Sequence, residues 1–327
     1  MNPSSRIFVA GHRGLAGSAI CRCLHAAGFT NLLLRTHAEL DLTMRQPVEK
    51  FFAEEKPEYV ILAAAKVGGI QANNTYPADF LRENLRIQST VIDACAQFGV
   101  KRLLFLGSSC IYPKLCPQPI REEFLMTGPL ESTNRPYAIA KIAGIEQCWA
   151  YNRQQGTKFL AAMPTNLYGP EDNFDLETSH VLPALMRKVA HAKVTGAKEI
   201  VVWGTGTPRR EFLMSDDLAE ACVHLMQLPD AKFDTLLSED RPPIVNIGTG
   251  VDVTIRELAE MLCRVLDYDG ALVFDASRPD GTPQKLLDVS RMHDLGWRAR
   301  TALEDGLHQT YERVKDKILP PLHVRDL

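Results

Sequence analysis

Residues 6–28, RIFVAGHRGLAGSAICRCLHAAG, place a glycine-rich turn between an apolar segment and an amphipathic one. The run RIFVA predicts a β-strand, and the stretch after the turn has the apolar spacing and closing glycine of a helix. Gly11 and Gly14 permit a tight turn and the close approach of a pyrophosphate, and Gly17 permits the helix to pack on the strand. The spacing is G-x-x-G-x-x-G, and its position between a strand and a helix predicts a dinucleotide-binding loop.

Apolar runs and helix-like segments alternate through the first half of the chain. Further apolar runs occur at 31–34, 59–65, 102–107 and 158–163, and helix candidates lie around 46–55, 78–98 and 137–155. Strands that are apolar along their whole length and alternate with helices are typical of a parallel sheet covered on both faces. The predicted fold class is therefore α/β, a Rossmann-like doubly wound parallel sheet.

The alternation of apolar and helix-like segments becomes irregular after Met163. The segment 164–180, PTNLYGPEDNFDLETSH, predicts a long and therefore functional loop. Helical spacing returns near 181–192, 216–228, 255–266 and 301–316, with short strands near 200–203, 244–247 and 271–274. We therefore expect a smaller C-terminal α/β substrate domain. The expected division is a dinucleotide-binding Rossmann domain at 1–165, with a returning segment at about 215–247, and a substrate-binding domain formed by 166–214 and 248–327.

The 327 residues carry 37 basic and 40 acidic side chains, a formal net charge of −3. This balance gives the chain no excess of positive charge, so neither nucleic acid nor a membrane surface is expected as a partner. The start, MNPSSRIFVAGHRG, lacks the features of a secretory signal, and no run of about eighteen apolar residues occurs. These features predict a soluble cytoplasmic protein that acts on a small molecule.

The eight cysteines are scattered without repeated C-x-x-C units or His-x-x-His partners. Neither a disulfide framework nor a metal site is therefore predicted. Most of these thiols are expected to be reduced and to serve as buried packing residues.

The end of the second predicted strand, LLLRTH at 32–37, has no carboxylate to hold a ribose 2′-hydroxyl. Arg35 there, with Arg13 in the glycine loop, would favour a 2′-phosphate, so the predicted cofactor is NADP(H). Asp41 is a candidate contact to the adenine. The predicted cofactor contacts in this half of the chain are Gly11, His12, Arg13, Gly14, Leu15, Ala16, Gly17, Arg35, His37, Asp41 and Leu42.

Tyr137 and Lys141 stand four residues apart in NRPYAIAKIAGIE, at 134–146, and so share one helical face. A lysine ammonium beside a phenol favours the phenolate, which would let the tyrosine exchange a proton nearer neutral pH. The pair follows Ser108 and Ser109, at a strand end, and a serine hydroxyl there could bind the same substrate oxygen.

Several long motifs, together with the glycine loop, Ser108, Tyr137 and Lys141, resemble the extended short-chain dehydrogenase/reductase superfamily and, in its nucleotide-sugar branch, the GDP-L-fucose synthase family. The motifs include GHRGLAGSAI (11–20), LFLGSSCIYPK (104–114), PYAIAKIAGIE (136–146), SHVLPAL (179–185) and FDASRPDGTPQKLLDVSR (274–291). The resemblance extends from about residue 6 to about residue 315. It implies conversion of a GDP-4-keto-6-deoxy-sugar, GDP-4-keto-6-deoxy-D-mannose, to GDP-L-fucose by 3,5-epimerisation and NADPH-dependent reduction at C4.

The resemblance also implies residue roles. Ser108 and Tyr137 would bind the C4 oxygen, and Lys141 would hold the nicotinamide ribose and tune Tyr137. Cys110 and His180 would move protons at C3 and C5. The implied GDP-sugar contacts are Lys188, Trp203, Arg210 and Asp280, with Arg209 as the neighbouring alternative to Arg210. Further cofactor contacts would be Pro164, Thr165, Asn166, Leu167, Lys141 and His180, and a homodimer would form through helices near 85–98 and 138–155.

The chemistry of the implied reaction agrees with these roles. Protons on C3 and C5 are acidic only because the C4 carbonyl can become an enolate, which a serine and a tyrosine on that oxygen would stabilise. Inversion needs a base on one face and an acid on the other, and the ordinary pKa values of cysteine and histidine, about 8.5 and 6.5, suit both tasks. Sequence does not decide which is the base; we favour the Cys110 thiolate as base and His180 as acid.

Related enzymes remain as alternatives. A synthase of another GDP-deoxysugar, such as a colitose-type product, would use the same residues. A 4,6-dehydratase would carry carboxylates after the catalytic hydroxyl, where SSCIYP has none, and a 4-epimerase would not need both Cys110 and His180. A nucleotide-sensing regulator without turnover would usually lack the tyrosine or the lysine.

The chain departs from the family pattern at two places. Met214 and Ser215 stand where many members have His-Val, so any polar role of that histidine is absent. His37 stands where an arginine is expected, which leaves Arg13 with less help on the 2′-phosphate and predicts a weaker or pH-sensitive preference for NADP.

Overall fold

A computed structural model describes residues 1–176, 178–278 and 280–319. Its strands are β1 (Ile7–Ala10), β2 (Leu32–Leu33), β3 (Tyr59–Leu62), β4 (Arg102–Leu106), β5 (Phe159–Pro164), β6 (Asn166–Tyr168), β7 (Glu199–Trp203), β8 (Arg209–Met214), β9 (Ile244–Ile247), β10 (Asp252–Thr254), β11 (Ala271–Asp275) and β12 (Gln284–Lys285). Its α-helices are α1 (Leu15–Ala26), α2 (Arg45–Glu55), α3 (Ile70–Thr75), α4 (Pro77–Gln97), α5 (Arg135–Gln155), α6 (Val181–Thr195), α7 (Ser215–Gln227), α8 (Asp230–Asp234), α9 (Ile255–Val265), α10 (Ser290–Asp294) and α11 (Leu303–Ile318). None of the helices in these ranges is both long and apolar enough to cross a bilayer.

Six parallel strands form the main sheet in the order β2-β1-β3-β4-β5-β9. The prediction of a doubly wound parallel sheet is confirmed. The chain moves from β1 to β2 on one side and then to β3 on the other. The carboxyl ends of β1 and β3 therefore border the crevice in which sheets of this kind bind ligands.

Alternate residues of each main strand enter two separate cores. Phe8 and Ala10 of β1 pack with α2, α4 and α5, whereas Ile7 and Val9 pack with α1 and α7. Both faces of the sheet are therefore covered, which explains why the strands are apolar at every position rather than at every second one.

A second sheet forms around β8, which pairs with β6, β10 and β12. Of these strands, β6 lies inside the segment 164–180 that was predicted to be a loop, so that prediction is wrong for residues 166–168, and also for Pro164, which ends β5. The other three were not predicted. Strands of two to six residues with charged side chains, such as RREFLM in β8, carry too little local pattern, because distant partners stabilise them.

Glu211, on β8, is fully buried and joins this sheet to two other segments. Its carboxylate accepts hydrogen bonds from the backbone N–H groups of Thr249 at 2.6 Å, Gly250 at 2.8 Å and Leu287 at 3.0 Å. Burial raises the pKa of Glu211, and these three donors oppose the rise. One carboxylate therefore fixes the turn after β9 and the segment after β12 against β8.

We predict that Glu211→Leu lowers the free energy of unfolding by about 3 kcal/mol or more, because it leaves the buried N–H of Leu287 and the part-buried N–H groups of Thr249 and Gly250 without their acceptor. Urea titration followed by circular dichroism measures the change. Glu260→Gln, on the exposed side of α9, is the matched control and should stay within about 0.5 kcal/mol of the parent protein. A Glu211→Leu variant as stable as the parent would show that the carboxylate does not hold the two segments.

Candidate active site

The glycine loop lies where the ends of β1 and β3 meet. Gly11 has φ +85°, and a Cβ atom there would lie 2.7 Å from the backbone nitrogen of Ala64, in the loop after β3. A Cβ atom on Gly17 would lie 2.1 Å from the carbonyl oxygen of Gly11, so only glycine lets α1 start this close to β1. Gly17 thus has the packing role expected for it.

The loop leaves the amino-terminal end of α1 open to an anion. Gly14 is the N-cap and supplies no side-chain acceptor to the first turn, which contains Leu15 and Ala16. The Nδ1 atom of His12 is buried and has no hydrogen-bond partner within the part of the chain that the structure describes. Free N–H groups, a positive helix end and an unpaired ring nitrogen fit the pyrophosphate of a dinucleotide.

The two arginines proposed for the 2′-phosphate differ in whether their charge already has a partner within the protein. Arg35 forms an ion pair with Glu55 and lies over the ring of Phe51, with its guanidinium carbon 5.2 Å from the ring centroid. Arg13 is exposed and has no hydrogen bond or ion pair within residues 1–176, 178–278 and 280–319. Arg13 is therefore the freer cation for a phosphate.

The remaining residues proposed at the adenosine end lie in the turn after β2. The His37 side chain is 83% exposed, and its Nδ1 lies 4.0 Å from Oδ1 of Asp41. Asp41 also accepts hydrogen bonds from the N–H and the hydroxyl of Thr43, at 2.9 and 2.8 Å, which lower its pKa. Asp41 thus stabilises the turn in which it lies, and the neighbouring Leu42 packs against the core.

Residues 164–167 lie at the carboxyl end of β5 and are held by β8. Pro164 ends the strand, and the Oγ1 of Thr165 and the Nδ2 of Asn166 both donate to the carbonyl oxygen of Glu211, at 3.1 and 2.8 Å. Leu167 packs into the core below α1. These contacts place the segment at the same edge of the sheet as the glycine loop.

Lys141 holds α5 against the end of the central strand β4. Its buried Nζ donates to the carbonyl oxygen of Leu106 at 2.8 Å and lies 4.8 Å from the ring centroid of Phe105. Burial lowers the pKa of Lys141 to about 8. One turn earlier on the same helix, Tyr137 lies with its ring centroid 5.7 Å from that ammonium.

Tyr137 stands beside Ser108, but its pKa moves in the direction opposite to our expectation. Burial and the Cys110 thiol raise the pKa of Tyr137, and only the nearby Ser108 hydroxyl lowers it. Lys141 faces the ring rather than the hydroxyl and donates its hydrogen bond to the carbonyl oxygen of Leu106, so desolvation dominates the pKa of Tyr137. Tyr137 is therefore a protonated phenol in the free protein, which suits a proton donor.

Cys110 lies in the short 3₁₀ turn Ser109–Ile111 that follows β4, and only 7% of its surface is exposed. Ser108 caps this turn, its Oγ accepting from the Cys110 N–H at 3.4 Å. Burial raises the pKa of the thiol, while Lys285, Ser108 and Lys141 all favour the thiolate. The turn after β4 contributes a hydroxyl and a thiol, and α5 contributes a phenol and an ammonium, so all four groups lie at one strand end.

His180 is the N-cap of α6, at the end of the long loop that follows β6. The N–H of Gly69, before α3, donates to the carbonyl oxygen of Thr178 at 3.0 Å, which fixes the end of this loop. The residue is exposed, but partial desolvation of its ring and the positive charge of Lys285 lower the pKa of His180. The charge of Lys285 therefore lowers the pKa of both the Cys110 thiol and the His180 imidazole.

The other proposed substrate contacts surround the ends of β7 and β8. Trp203 is 52% exposed, with the Nζ of Lys188 5.2 Å and the guanidinium carbon of Arg278 5.0 Å from its ring centroid. Asp280 accepts from the N–H and the hydroxyl of Thr205, at 2.7 and 2.9 Å. An exposed aromatic face between two cations suits a nucleobase and its phosphates.

The structure distinguishes Arg210 from its neighbour. Arg209 pairs with Asp252 at 2.9 Å and approaches Glu257 at 3.8 Å, so its charge is used within the fold. Arg210 donates to the carbonyl oxygen of Arg209 at 2.8 Å, and burial lowers its pKa while Asp280 raises it. Of the two, Arg210 is the one available to an anion.

Two residues of this region were missed by the sequence analysis, Lys285 and Arg278. Lys285 lies on the two-residue strand β12, and Cys110, Glu131, Thr282 and Lys285 line one open recess. Neither residue belongs to a motif with recognisable spacing. The only available signal was their position inside the long motif at 274–291.

Comparisons with known proteins agree with this geometry. Residues 7–248 match the family model described as the NAD dependent epimerase/dehydratase family. The chain is 60% identical over 309 residues to GDP-L-fucose synthase 1 of Arabidopsis thaliana, covering 94% of this chain and 93% of the relative. It is 35% identical to GDP-L-colitose synthase of Yersinia pseudotuberculosis, covering 93% and 96%.

A solved structure, the NADP-bound GDP-L-fucose synthetase of Naegleria fowleri, superposes with a TM-score of 0.84 at 27% identity, covering 97% of this chain and 95% of that one. The match of the family model extends over most of the chain, and the identity to curated relatives extends to nearly all of it. The chain therefore belongs to the NAD dependent epimerase/dehydratase family and, within it, to the family of the GDP-L-fucose synthases.

Proposed function

We propose that this protein converts GDP-4-keto-6-deoxy-D-mannose to GDP-L-fucose by 3,5-epimerisation through an enolate, followed by reduction at C4. The observation that carries the proposal is the meeting of Ser108, Cys110, Tyr137 and Lys141 at the end of β4. His180, at the start of α6, is linked to this group through Lys285, whose charge acts on both His180 and Cys110. A reductase alone would need the hydroxyls and the lysine. The thiol and the imidazole supply the proton transfers of an epimerase.

The substrate follows from similarity and from the charges around the site. Identity to a GDP-L-fucose synthase is 60%, against 35% to a GDP-L-colitose synthase, which favours the fucose product over the colitose-type alternative. Trp203 between Lys188 and Arg278 would hold the guanine end, and Arg210 would hold the diphosphate. The sugar would then reach the strand end that carries Ser108.

Ser108 and Tyr137 would form one oxyanion site for both reactions. During epimerisation a C–H bond at C3 or C5 breaks, and its electron pair moves onto the C4 oxygen, where the two hydroxyls stabilise the negative charge. One of Cys110 and His180 accepts the proton, and the other returns a proton to the opposite face. During reduction Tyr137 donates its proton to the same oxygen.

NADPH, when bound, supplies the hydride for C4. The residues that would hold it are the N–H groups at the start of α1, His12, Arg13, the segment 164–167 and Lys141. Arg35 would contribute less, because Glu55 already neutralises it. This arrangement makes Arg13 the main contact to the 2′-phosphate.

We infer that the chain divides as the sequence suggests and works as a homodimer through α4 and α5. The division at 1–165 and 166–214 is supported by the return of β9 to the main sheet and by the separate sheet around β8. The dimer is supported by the packing of the two 21-residue helices against each other, with Ile139 of α5 44% exposed. Sedimentation of the purified protein decides between monomer and dimer.

Deuterium exchange tests the epimerase step without the cofactor. Incubation with GDP-4-keto-6-deoxymannose in deuterated water, without NADPH, should place deuterium at C3 and C5, because the enolate exchanges its protons with solvent. Cys110→Ser and His180→Gln should each slow this exchange by about 100-fold or more, since each removes one proton-transfer group. Mass spectrometry and NMR of the recovered sugar measure the exchange.

Cys116→Ser is the matched control, because this half-buried thiol lies in the same loop and has no proposed role in proton transfer. It should leave the exchange rate close to that of the parent protein. Oxidation of NADPH with no deuterium at either carbon would contradict the epimerase assignment and leave a C4 reductase.

The pH dependence of the reduction rate should report the ionisation of Lys141. Its pKa is lowered to about 8, so the ammonium is present below about pH 8 and lost above it. We expect kcat/KM for NADPH oxidation to fall above about pH 8, because the neutral amine binds the ribose and polarises the site less well. Lys141→Arg, which stays charged, should move this fall upward by about one pH unit or more. An unchanged falling limb in that variant would assign it to another group.

A further inference from the structure

The small parallel sheet formed by β7 and β11 exposes one apolar face. In its register Val201 lies beside Val273, and Trp203 lies beside Asp275. Because alternate residues of a strand share a face with the residues opposite them, these four side chains lie on the same side of the sheet. Val201, Val273 and Trp203 are 43%, 41% and 52% exposed. This surface, which we call the β7–β11 face, suits the flat ring of a nucleobase.

A carboxylate and a guanidinium stand at the Trp203 end of this face. Asp275 is the last residue of β11, and the N–H of Arg278 donates to its carbonyl oxygen at 3.2 Å. The Nε of Arg278 lies 3.7 Å from Oδ2 of Asp275, and its guanidinium carbon lies 5.0 Å from the ring centroid of Trp203. A hydrogen-bond acceptor and a hydrogen-bond donor therefore lie side by side next to the indole.

Both groups keep hydrogen-bonding capacity that the fold does not use. Oδ1 of Asp275 accepts from the N–H and the hydroxyl of Ser277, at 3.1 and 2.6 Å, which fixes the carboxylate. The two donors of Ser277 and the charge of Arg278 lower the pKa of Asp275, so the carboxylate is ionised at neutral pH. Its Oδ2 accepts no hydrogen bond, and the Arg278 guanidinium donates none, within the part of the chain that the structure describes.

The β7–β11 face lies next to the proposed diphosphate contact. The N–H of Thr205, two residues after Trp203, donates to Oδ1 of Asp280 at 2.7 Å. The charge of the same Asp280 raises the pKa of Arg210, which places the two side chains near each other. A nucleotide with its diphosphate at Arg210 would therefore bring its base to the Trp203 end of the face.

The carboxylate and the guanidinium match the Watson–Crick edge of guanine better than that of adenine or uracil. Guanine presents the acceptor O6 next to two donors, N1–H and the exocyclic amine. Adenine presents a donor and an acceptor in the opposite order, and uracil presents a second carbonyl oxygen where guanine has its amine. Arginine donates well to O6, and a carboxylate accepts well from an amine. Adenine and uracil would set like groups against each other.

We propose that Asp275 and Arg278 select guanine as the base of the sugar nucleotide. Arg278 donates to O6, Oδ2 of Asp275 accepts from the exocyclic amine, and the ring of the base lies on the β7–β11 face. The inference rests on the proposed function, because it concerns the base of the proposed GDP-sugar. It makes these two residues the determinants of base specificity, apart from the contacts of the sugar and the diphosphate.

Calorimetric titration with free nucleoside diphosphates tests Asp275 without sugar or NADPH. Inosine diphosphate lacks the exocyclic amine of GDP, so the parent protein should bind it about 10-fold more weakly. Asp275→Asn keeps a carbonyl oxygen for Ser277 but turns an amide NH₂ group toward the base. We expect this variant to lose the preference for GDP over inosine diphosphate. It should also bind xanthosine diphosphate, which has a carbonyl oxygen in place of the amine, about 10-fold more tightly than the parent protein does.

Glu199→Gln is the matched control, because Glu199 lies on the same face at the other end of β7 and loses the same charge. It should change none of these affinities by more than about twofold.

Titration of Arg278 variants tests the contact to O6. GDP and inosine diphosphate both carry O6, so Arg278→Met should weaken the binding of both by about 10-fold. The same variant should leave the affinity for ADP within about twofold, because adenine has no O6 acceptor for the guanidinium. Arg278→Lys, which keeps one donor, should recover part of the loss.

A uniform loss would overturn the proposal. If both variants lose affinity for GDP, inosine diphosphate and ADP alike, with no gain for xanthosine diphosphate, the two residues only shape the turn after β11. Equal binding of GDP and inosine diphosphate by the parent protein would also overturn it. Because these titrations need no turnover, their failure is distinct from an absence of deuterium exchange in the parent protein, which would overturn the proposed function.

Discussion

The candidate active site is organised around one buried hydrogen bond, from the Lys141 ammonium to the carbonyl oxygen of Leu106. A buried ammonium must be compensated, and here the last residue of the central strand β4 supplies the acceptor, with the faces of Phe105 and Tyr137 nearby. The bond fixes α5 against the strand end. Tyr137, one turn before Lys141, then lies beside Ser108, the second residue after that strand. The contact thus helps to bring the phenol of α5 and the serine hydroxyl after β4 to the same strand end.

The electrostatics of the site point to anions that exist only during the reaction. Two ammonium groups, Lys141 and Lys285, act on Cys110, and neither forms an ion pair with a carboxylate in the described ranges. A thiolate and an enolate oxygen are the two anions that the proposed chemistry creates at this strand end. Cations that have no carboxylate partner can stabilise a transient anion without reorganisation of the site, and this is how such sites accelerate proton abstraction.

The parts of the site that were predictable from sequence are those held together by local structure. The glycine loop lies between β1 and α1, Tyr137 and Lys141 share one helix face, and Ser108 and Cys110 share one turn. The sheet around β8 was not predictable, because its strands are short and their partners lie up to 76 residues away, as for Leu287 on Glu211. Lys285 depends on that sheet for its position, so sequence alone did not reveal it. The same reason applies to Arg209, whose partner Asp252 lies 43 residues away, and to Arg35, whose pairing with Glu55 needed the folded helix α2.

In the proposed reaction a single oxyanion site, formed by Ser108 and Tyr137, serves both epimerisation and reduction. The most direct measurement is the rate of deuterium entry at C3 in Tyr137→Phe, without NADPH, beside the rate of hydride transfer to C4 in the same variant. We predict that both rates fall by about 100-fold or more, because the variant removes both a stabilising donor of the enolate and the proton donor of the reduction. Deuterium entry at the parent rate with reduction lost would contradict the claim, since the enolate would then be stabilised by other groups.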